Sequence, residues 1–249
     1  MNAIPDTATQ WPAIRTVGVD GMLVSFGDAL AEPTNRAALA FRAAFDQQAP
    51  GGVEETSTTL ASTYIRFDPL HLSHGDLSKS LETLLKTRDW YDAPLPEGRK
   101  LWRIPTVFGG THGPQLAEAA AAAGVSEAGA LASLSSSQAR VQAIGFAPGQ
   151  PYLGALPPEW DIPRQQGLTP QVPEGALVVA IRQFVLFSVS APTGWRHVGQ
   201  TAFRCFRPET DTPFALRPGD EAVFAAVSAE EFENMRADPD GGATFEVLR

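Results

Sequence analysis

From about residue 140 onward, short runs of β-forming residues alternate with glycine and proline turns, and this pattern limits what the chain can become. The runs fall at 140–144, 176–181, 185–189, 201–206 and 221–227. Many short strands at close spacing predict a closed or nearly closed β-barrel. Between residues 145 and 154 glycines, prolines and aromatics stand together with no charged side chain among them. Proline stiffens such a loop and glycine lets it turn sharply, so its aromatic and amide side chains can line a pocket.

The first half reads differently. Residues 17–26 and 56–67 are β-branched and apolar and each predicts a strand. Residues 35–47 predict a helix with Ala38, Phe41 and Phe45 on one face, with Asp28 or Thr34 as candidate caps. Residues 76–88 predict a second helix, with Leu77, Leu81, Leu84 and Leu85 at helical spacing and Asp76 as N-cap. Residues 1–10 are expected to be loose. The stretch DAPLPEG at 92–98 reads as a linker, which divides the chain into an α+β domain over 1–98 and a β-barrel domain over 99–249. After the linker, 102–108 predicts a strand, 114–123 and 126–134 two short helices, 228–236 another helix and 244–248 a last strand.

Charge and cysteine content exclude several classes. A formal net charge of −9 over 249 residues argues against a nucleic-acid surface and against docking on anionic lipid. A single cysteine, Cys205, allows no internal disulfide and no Cys-rich zinc site, and its apolar setting predicts a buried strand residue. His71 and His74 lack a third ligand nearby, so no metal site is expected. No run is apolar enough to span a bilayer and no targeting segment is visible, which makes a cytoplasmic protein the expectation.

Candidate chemistry is sparse. No Walker A or dinucleotide-binding glycine pattern is present. The GGTHGP stretch at 109–114 precedes a helix and could offer N–H groups to an anion, but it lacks the P-loop lysine, and a tight strand-to-helix turn is the favoured reading. His112 sits within those glycines, while His197 reads as a surface or half-buried residue. Phe146, Gln150 and Tyr152 belong to the glycine-proline loop. Arg164, Gln171, Arg182 and Gln183 have side chains suited to a carboxylate or an amide. Trp195 reads as core, and Asp220 as the organiser of a turn. None of these is a convincing nucleophile or general base.

Several motifs occur together in one order: IPTVFGGTHGPQL at 104–116, GFAPGQPYLGALP at 145–157, VPEG at 172–175, APTGWRHVGQT at 191–201 and RPGDEAVF at 217–224. With these the chain resembles the family that contains allophanate hydrolase subunit 1, the 5-oxoprolinase B subunit and a Kip-type kinase inhibitor. The resemblance implies a ferredoxin-like α+β amino-terminal domain and a cyclophilin-like β-barrel carboxy-terminal domain. It implies a homologous second subunit, of the type of allophanate hydrolase subunit 2 or the 5-oxoprolinase C subunit. It also implies a third, lactam-utilisation-type component in the 5-oxoprolinase system. There ATP drives opening of the 5-oxoproline lactam. ATP is therefore the implied cofactor, bound by this chain or by a partner.

Departures from the family pattern are informative. A Gly-Gly-Gln-Thr-type turn is replaced by Ile181, Arg182, Gln183 and Phe184. Gln115 stands for an aspartate, Gln150 for a Phe or Tyr, and Thr193 for a glycine. The expected function is a subunit of a heteromeric ATP-dependent amide or lactam hydrolase whose pocket is lined by Gln183, Tyr152, Arg164, His112, Phe146, Gln150 and Arg182. The alternative is a non-catalytic binding or regulatory protein like the kinase-inhibiting relatives.

Overall fold

In a computed structural model that describes residues 10–248, the chain divides into two units, one ending at Pro96 and the other beginning at Glu97. The region expected to be loose, 1–10, lies almost wholly outside the described residues.

The first unit is one antiparallel sheet backed by two helices. β1 (Ala13–Val17) and β2 (Gly21–Ser25) form a hairpin where one strand over 17–26 is expected. Gly18, at φ +65°, takes the turn that reverses the chain. α1 (Glu32–Asp46) follows, with the Thr34 hydroxyl accepting the Ala31 N–H at 3.0 Å near its start. β3 (Val53–Thr58) and β4 (Ser62–Phe67) form a second hairpin, again where a single strand is expected. α2 (His74–Leu85) is capped by Ser73, not by Asp76: the Ser73 hydroxyl accepts the Asp76 N–H at 3.1 Å.

The strand order is β1-β2-β4-β3. Alternation along β2 and β4 puts Met22, Val24, Ile65 and Phe67 in the core. Phe41 and Phe45 of α1 and Leu77 and Leu81 of α2 bury against them. Full burial of each such side chain is worth about 1.5–3 kcal/mol. Ala93, at the start of the expected linker, is also buried beside Trp90 in this core. The element order is ββαββα, whereas a ferredoxin-like unit runs βαββαβ. The edge strand beside β2 comes first rather than last.

The second unit begins with β5 (Lys100–Phe108) and a tight turn over Gly110–His112. α3 (Leu116–Ala122) and α4 (Glu127–Ser136) come next, and the Ser126 hydroxyl caps α4 by accepting the Gly129 N–H at 3.1 Å. The remaining strands are β6 (Gln138–Ile144), β7 (Pro151–Gly154), β8 (Thr169–Val172), β9 (Ala176–Ala180), β10 (Gln183–Leu186), β11 (Ala191–Thr193), β12 (Arg196–Gln200), β13 (Glu221–Ala226) and, after α5 (Ala229–Met235), β14 (Thr244–Val247).

Seven of them close into a ring in the order β5-β12-β9-β10-β7-β6-β13 and back to β5. One edge of β5 pairs with β13 in parallel. The other edge is shared: Val107 and Phe108 pair with β12, while residues 100–103 pair with β14. β8 and β11 form a separate two-stranded sheet. The barrel core includes Ile104, Val141, Leu153, Phe184, Val198 and Phe224, and Leu116, Ala119 and Leu134 of the helices pack into the same cluster. Asp220 organises a turn as expected: its carboxylate accepts the Lys100 N–H at 2.8 Å and the Arg217 N–H at 3.1 Å.

Two sites depart from expectation or from ordinary backbone preference. Residues 201–206 are not a strand. The Thr201 hydroxyl takes the Phe203 N–H at 3.1 Å, and the segment makes only an isolated bridge between Phe206 and Phe214. Cys205 in this loop is buried, and burial pushes its thiol up to about 12. The β9–β10 turn carries Ile181 at φ +43° and Arg182 at φ +59°. Both stand in the left-handed region, where a β-branched residue is strongly disfavoured.

Gly149 has φ +70°, and a Cβ there would lie 2.9 Å from the Cys205 carbonyl oxygen. Gly149→Val is expected to lose about 2–4 kcal/mol of unfolding free energy in urea titration. Ile181→Asn, at an exposed turn position, is expected to gain about 1 kcal/mol in the same measurement, because Asn tolerates this conformation.

Candidate functional site

The candidate residues that line a cavity fall in two separate clefts of the second unit. The first, about 300 Å³, is aromatic. Its walls include Phe146, Tyr152, Trp195, Leu168 and Arg164, with Gln150 also lining it. The β6–β7 connection brings in Phe146 and Gln150, and β7 brings in Tyr152. Phe146 is held at φ +70° and is 72% exposed, so an apolar ring is presented to solvent on a disfavoured backbone. Tyr152 meets Trp195 edge to face with centroids 6.2 Å apart. The Arg164 guanidinium lies 5.3 Å above the Trp195 ring, a cation–π arrangement. Trp195 is buried, as expected, and also forms the cleft wall.

Gln150 is the unusual member. It is 1% exposed, and its Oε1 is buried with no hydrogen-bond partner among the described residues. An unpaired buried amide oxygen costs about 1–3 kcal/mol, which a ligand N–H can recover. No residue lining this cleft is a plausible nucleophile or base. The Thr193 hydroxyl already accepts the Trp195 N–H at 3.0 Å.

The second cleft, about 510 Å³, is lined by His112, His197, Gln200, Thr201 and Phe232, among others. The turn after β5, the β8–β9 turn, β12 with the loop after it, and α5 contribute its walls. His112 stacks edge to face on Phe232 with centroids 5.1 Å apart. His197 is buried rather than at the surface, and burial holds its imidazole below the ordinary value. The Gly199 carbonyl and the neighbouring Gln200 side chain partly offset that shift, and the His112 charge adds to it.

The expected single pocket is therefore divided. Phe146, Gln150, Tyr152 and Arg164 share the aromatic cleft, and His112 belongs to the other. Gln183 and Arg182 line neither. Gln183 is buried in the barrel wall, where its Nε2 donates to Gln142 Oε1 at 2.6 Å. Arg182 is held by its Nε bond to the Leu156 carbonyl at 2.9 Å. Gln171 donates to the Ser190 hydroxyl at 2.7 Å.

Part of the N–H set of the glycine-rich turn is already bonded within the chain. Its His112 and Gly113 N–H groups both bond the Gly109 carbonyl, and the Gln115 N–H bonds the His197 carbonyl. Gln200 escapes the sequence reading and His197 is read there as a surface or half-buried residue, although both stand buried in the HVGQT motif. Nothing in a single sequence says which motif residues lose their solvent. Among the described residues no cluster of three or more His, Cys, Asp or Glu is arranged to hold a metal ion, and no helix is long and apolar enough to cross a membrane.

Because Gln183 spends its amide on Gln142, Gln183→Ala is expected to destabilise the fold by about 1–3 kcal/mol in urea titration. Near-wild-type stability would return Gln183 to the list of ligand contacts.

A family model, "Carboxyltransferase domain, subdomain C and D", matches residues 12–216. The 5-oxoprolinase B subunit of Bacillus subtilis (strain 168) is 29% identical over 227 residues, covering 88% of this chain and 94% of that protein. The 5-oxoprolinase B subunit of Escherichia coli O157:H7 is 37% identical over 150 residues, covering 59% of this chain and 68% of the relative. In structure the chain is similar to TTHA0988, with a TM-score of 0.71 and 30% identity over 87% of this chain. The match spans 40% of that solved chain, less than half its length. With 205 consecutive residues under the family model, the chain belongs to the family of the carboxyltransferase domain, subdomains C and D.

Proposed function

We propose that the chain is one subunit of a heteromeric, ATP-dependent amide or lactam hydrolase of the 5-oxoprolinase type, and that the aromatic cleft binds the lactam. The observation that carries this reading is Gln150, a buried amide with a spare acceptor in a largely aromatic cleft. A lactam presents one N–H, which suits that acceptor. A ring-bound carboxylate suits the Arg164 guanidinium, which makes no ion pair among the described residues and lies on the Trp195 face. The flat ring itself suits the Tyr152–Trp195 wall. The 5-oxoprolinase relatives, matched over most of their length, support the same reading.

The role assigned to this chain is binding and orientation. With no nucleophile or base in the aromatic cleft, activation of the lactam falls to ATP and to groups outside that cleft. The proposed partner is the homologous second subunit, of the type of allophanate hydrolase subunit 2 or the 5-oxoprolinase C subunit, with a third, lactam-utilisation-type component. ATP contact is assigned to the assembly rather than to this chain. We read the barrel as cyclophilin-like and the first sheet as ferredoxin-like, its fourth strand supplied from the amino-terminal side. The same lack of catalytic groups favours the second reading, a binding or regulatory protein without turnover.

The test is ATP-dependent glutamate release from 5-oxoproline by this chain co-expressed with its partners. Gln150→Leu and Arg164→Met are each expected to raise KM about 10- to 100-fold with a smaller effect on kcat, the loss of one hydrogen bond to a charged or polar group. Unchanged KM in both variants contradicts the assigned site. No release with the wild-type assembly intact moves the substrate to another amide. No release and no assembly supports the regulatory reading.

A further inference from the structure

We propose that a third cleft of the second unit, beside the β5–β14 pair, is a binding site for a flat aromatic carboxylate. The cleft is about 340 Å³, at the small end of the range for ligand sites, which suits a molecule of one or two fused rings. Lys100 and Trp102 of β5, Phe245 of β14, and Phe214 and Arg217 from the stretch before β13 line it, among others. None of its lining residues belongs to either of the other two clefts. Phe245 lies beyond residue 216, where the match to the family model ends.

Charge sets this cleft apart. The chain carries a formal net charge of −9, yet Lys100, Arg207 and Arg217 line the cleft against only Asp220 and Asp240. Both carboxylates are already engaged. Asp240 pairs with Arg207, whose Nε also donates to the Arg204 carbonyl at 2.9 Å. Asp220 is buried and accepts the backbone N–H groups of Lys100 and Arg217, while the Arg217 Nε stands 3.6 Å from it, beyond hydrogen-bond distance. Among the described residues the Lys100 ammonium has no carboxylate partner. It lies 4.0 Å from the Phe245 ring centre and 5.3 Å from that of Trp102. Ring faces attract the cation but give its N–H groups no lone pair, so those donors remain available to an anion. The exposed Arg217 side chain spends Nη2 on the Gly98 carbonyl and keeps further donors.

The shape of the anion follows from the walls. One surplus positive charge suits a singly charged carboxylate better than a phosphate, which carries close to two negative charges. Phe214 and Phe245 are 55% and 50% exposed. Each packs on one aromatic neighbour, Phe206 at 5.3 Å and Trp102 at 4.8 Å between ring centres, and leaves the rest of its surface to the cleft and solvent. Two half-exposed rings beside an ammonium without a counter-ion match a ligand with a flat ring and a carboxylate, each half of which meets its own complement.

The test titrates the full chain with cinnamate and follows the indole N–H resonances. Trp102, in the wall of this cleft, is expected to shift saturably, while Trp195, in the wall of the aromatic cleft, stays in place. Cinnamyl alcohol keeps the ring without the charge, and cyclohexanecarboxylate keeps the charge without the aromatic ring; each is expected to bind about tenfold more weakly. Raising the salt from about 50 to about 500 mM is expected to weaken cinnamate. Lys100→Met and Arg217→Gln are each expected to weaken it about tenfold, the loss of one hydrogen bond to a charged group. Equal binding of cinnamyl alcohol, no saturable shift at Trp102, a response confined to Trp195, or wild-type affinity in both variants overturns the proposal. These readouts need no partner protein, no ATP and no turnover, so they stand apart from the lactam-hydrolase reading.

Discussion

Closure of the barrel through β5 is the constraint on which the second unit depends. One strand of nine residues has both of its edges occupied, by β13 along one side and by β12 and β14 in succession along the other. A sheet closed in this way has no exposed ladder on β5 to pair with another chain. It also fixes where β12 lies relative to the turn after β5. That placement brings the Gly109 N–H to the Val198 carbonyl at 3.1 Å and the Gln115 N–H to the His197 carbonyl at 2.9 Å. The second cleft is built on these two bonds. The aromatic cleft depends on the opposite side of the ring, where β7 and β10 pair and carry Tyr152 and Val185 to its wall.

Much of this architecture is legible as pattern. Short strands between glycine and proline turns announce the barrel, and leucine spacing announces α2. Two hairpins read as single strands for different reasons. At 59–61 the chain reverses through Thr59, Leu60 and Ala61, none of them a strong turn residue, and the turn is held by the Thr59 N–H bonding the Ser62 carbonyl at 2.8 Å. At 18–20 a glycine is present, but the β-branched residues around it outweigh the signal. Residues 201–206 have strand composition and form a loop, because the Thr201 side chain competes for the backbone N–H that a ladder would use.

The candidate site is legible in part. Phe146, Gln150, Tyr152 and Arg164 come from separate stretches of chain, yet they converge on one cleft. Gln183 and Arg182 do not join them, because strand register, invisible in a single sequence, places Gln183 opposite Gly154 and Ala180 in the barrel wall. The burial of His197 stays hidden for a related reason: it is a property of its neighbours, not of its motif. The Ile181–Arg182 turn shows backbone geometry outlasting composition. Where the family resemblance implies glycines, this chain keeps left-handed backbone on two residues that resist it. Such strain persists only where the surrounding pairing over-determines the turn, and here β9 and β10 supply that pairing.

A lactam bound in the aromatic cleft, as proposed, would protect the backbone that forms its walls. Hydrogen–deuterium exchange on the assembled complex, with and without saturating 5-oxoproline, tests this proposal most directly. Slowed exchange at residues 145–154 and 192–195, with residues 109–113 and 197–204 unchanged, is the predicted result. Slowed exchange confined to 109–113 and 197–204 would contradict the claim and move the substrate to the histidine cleft.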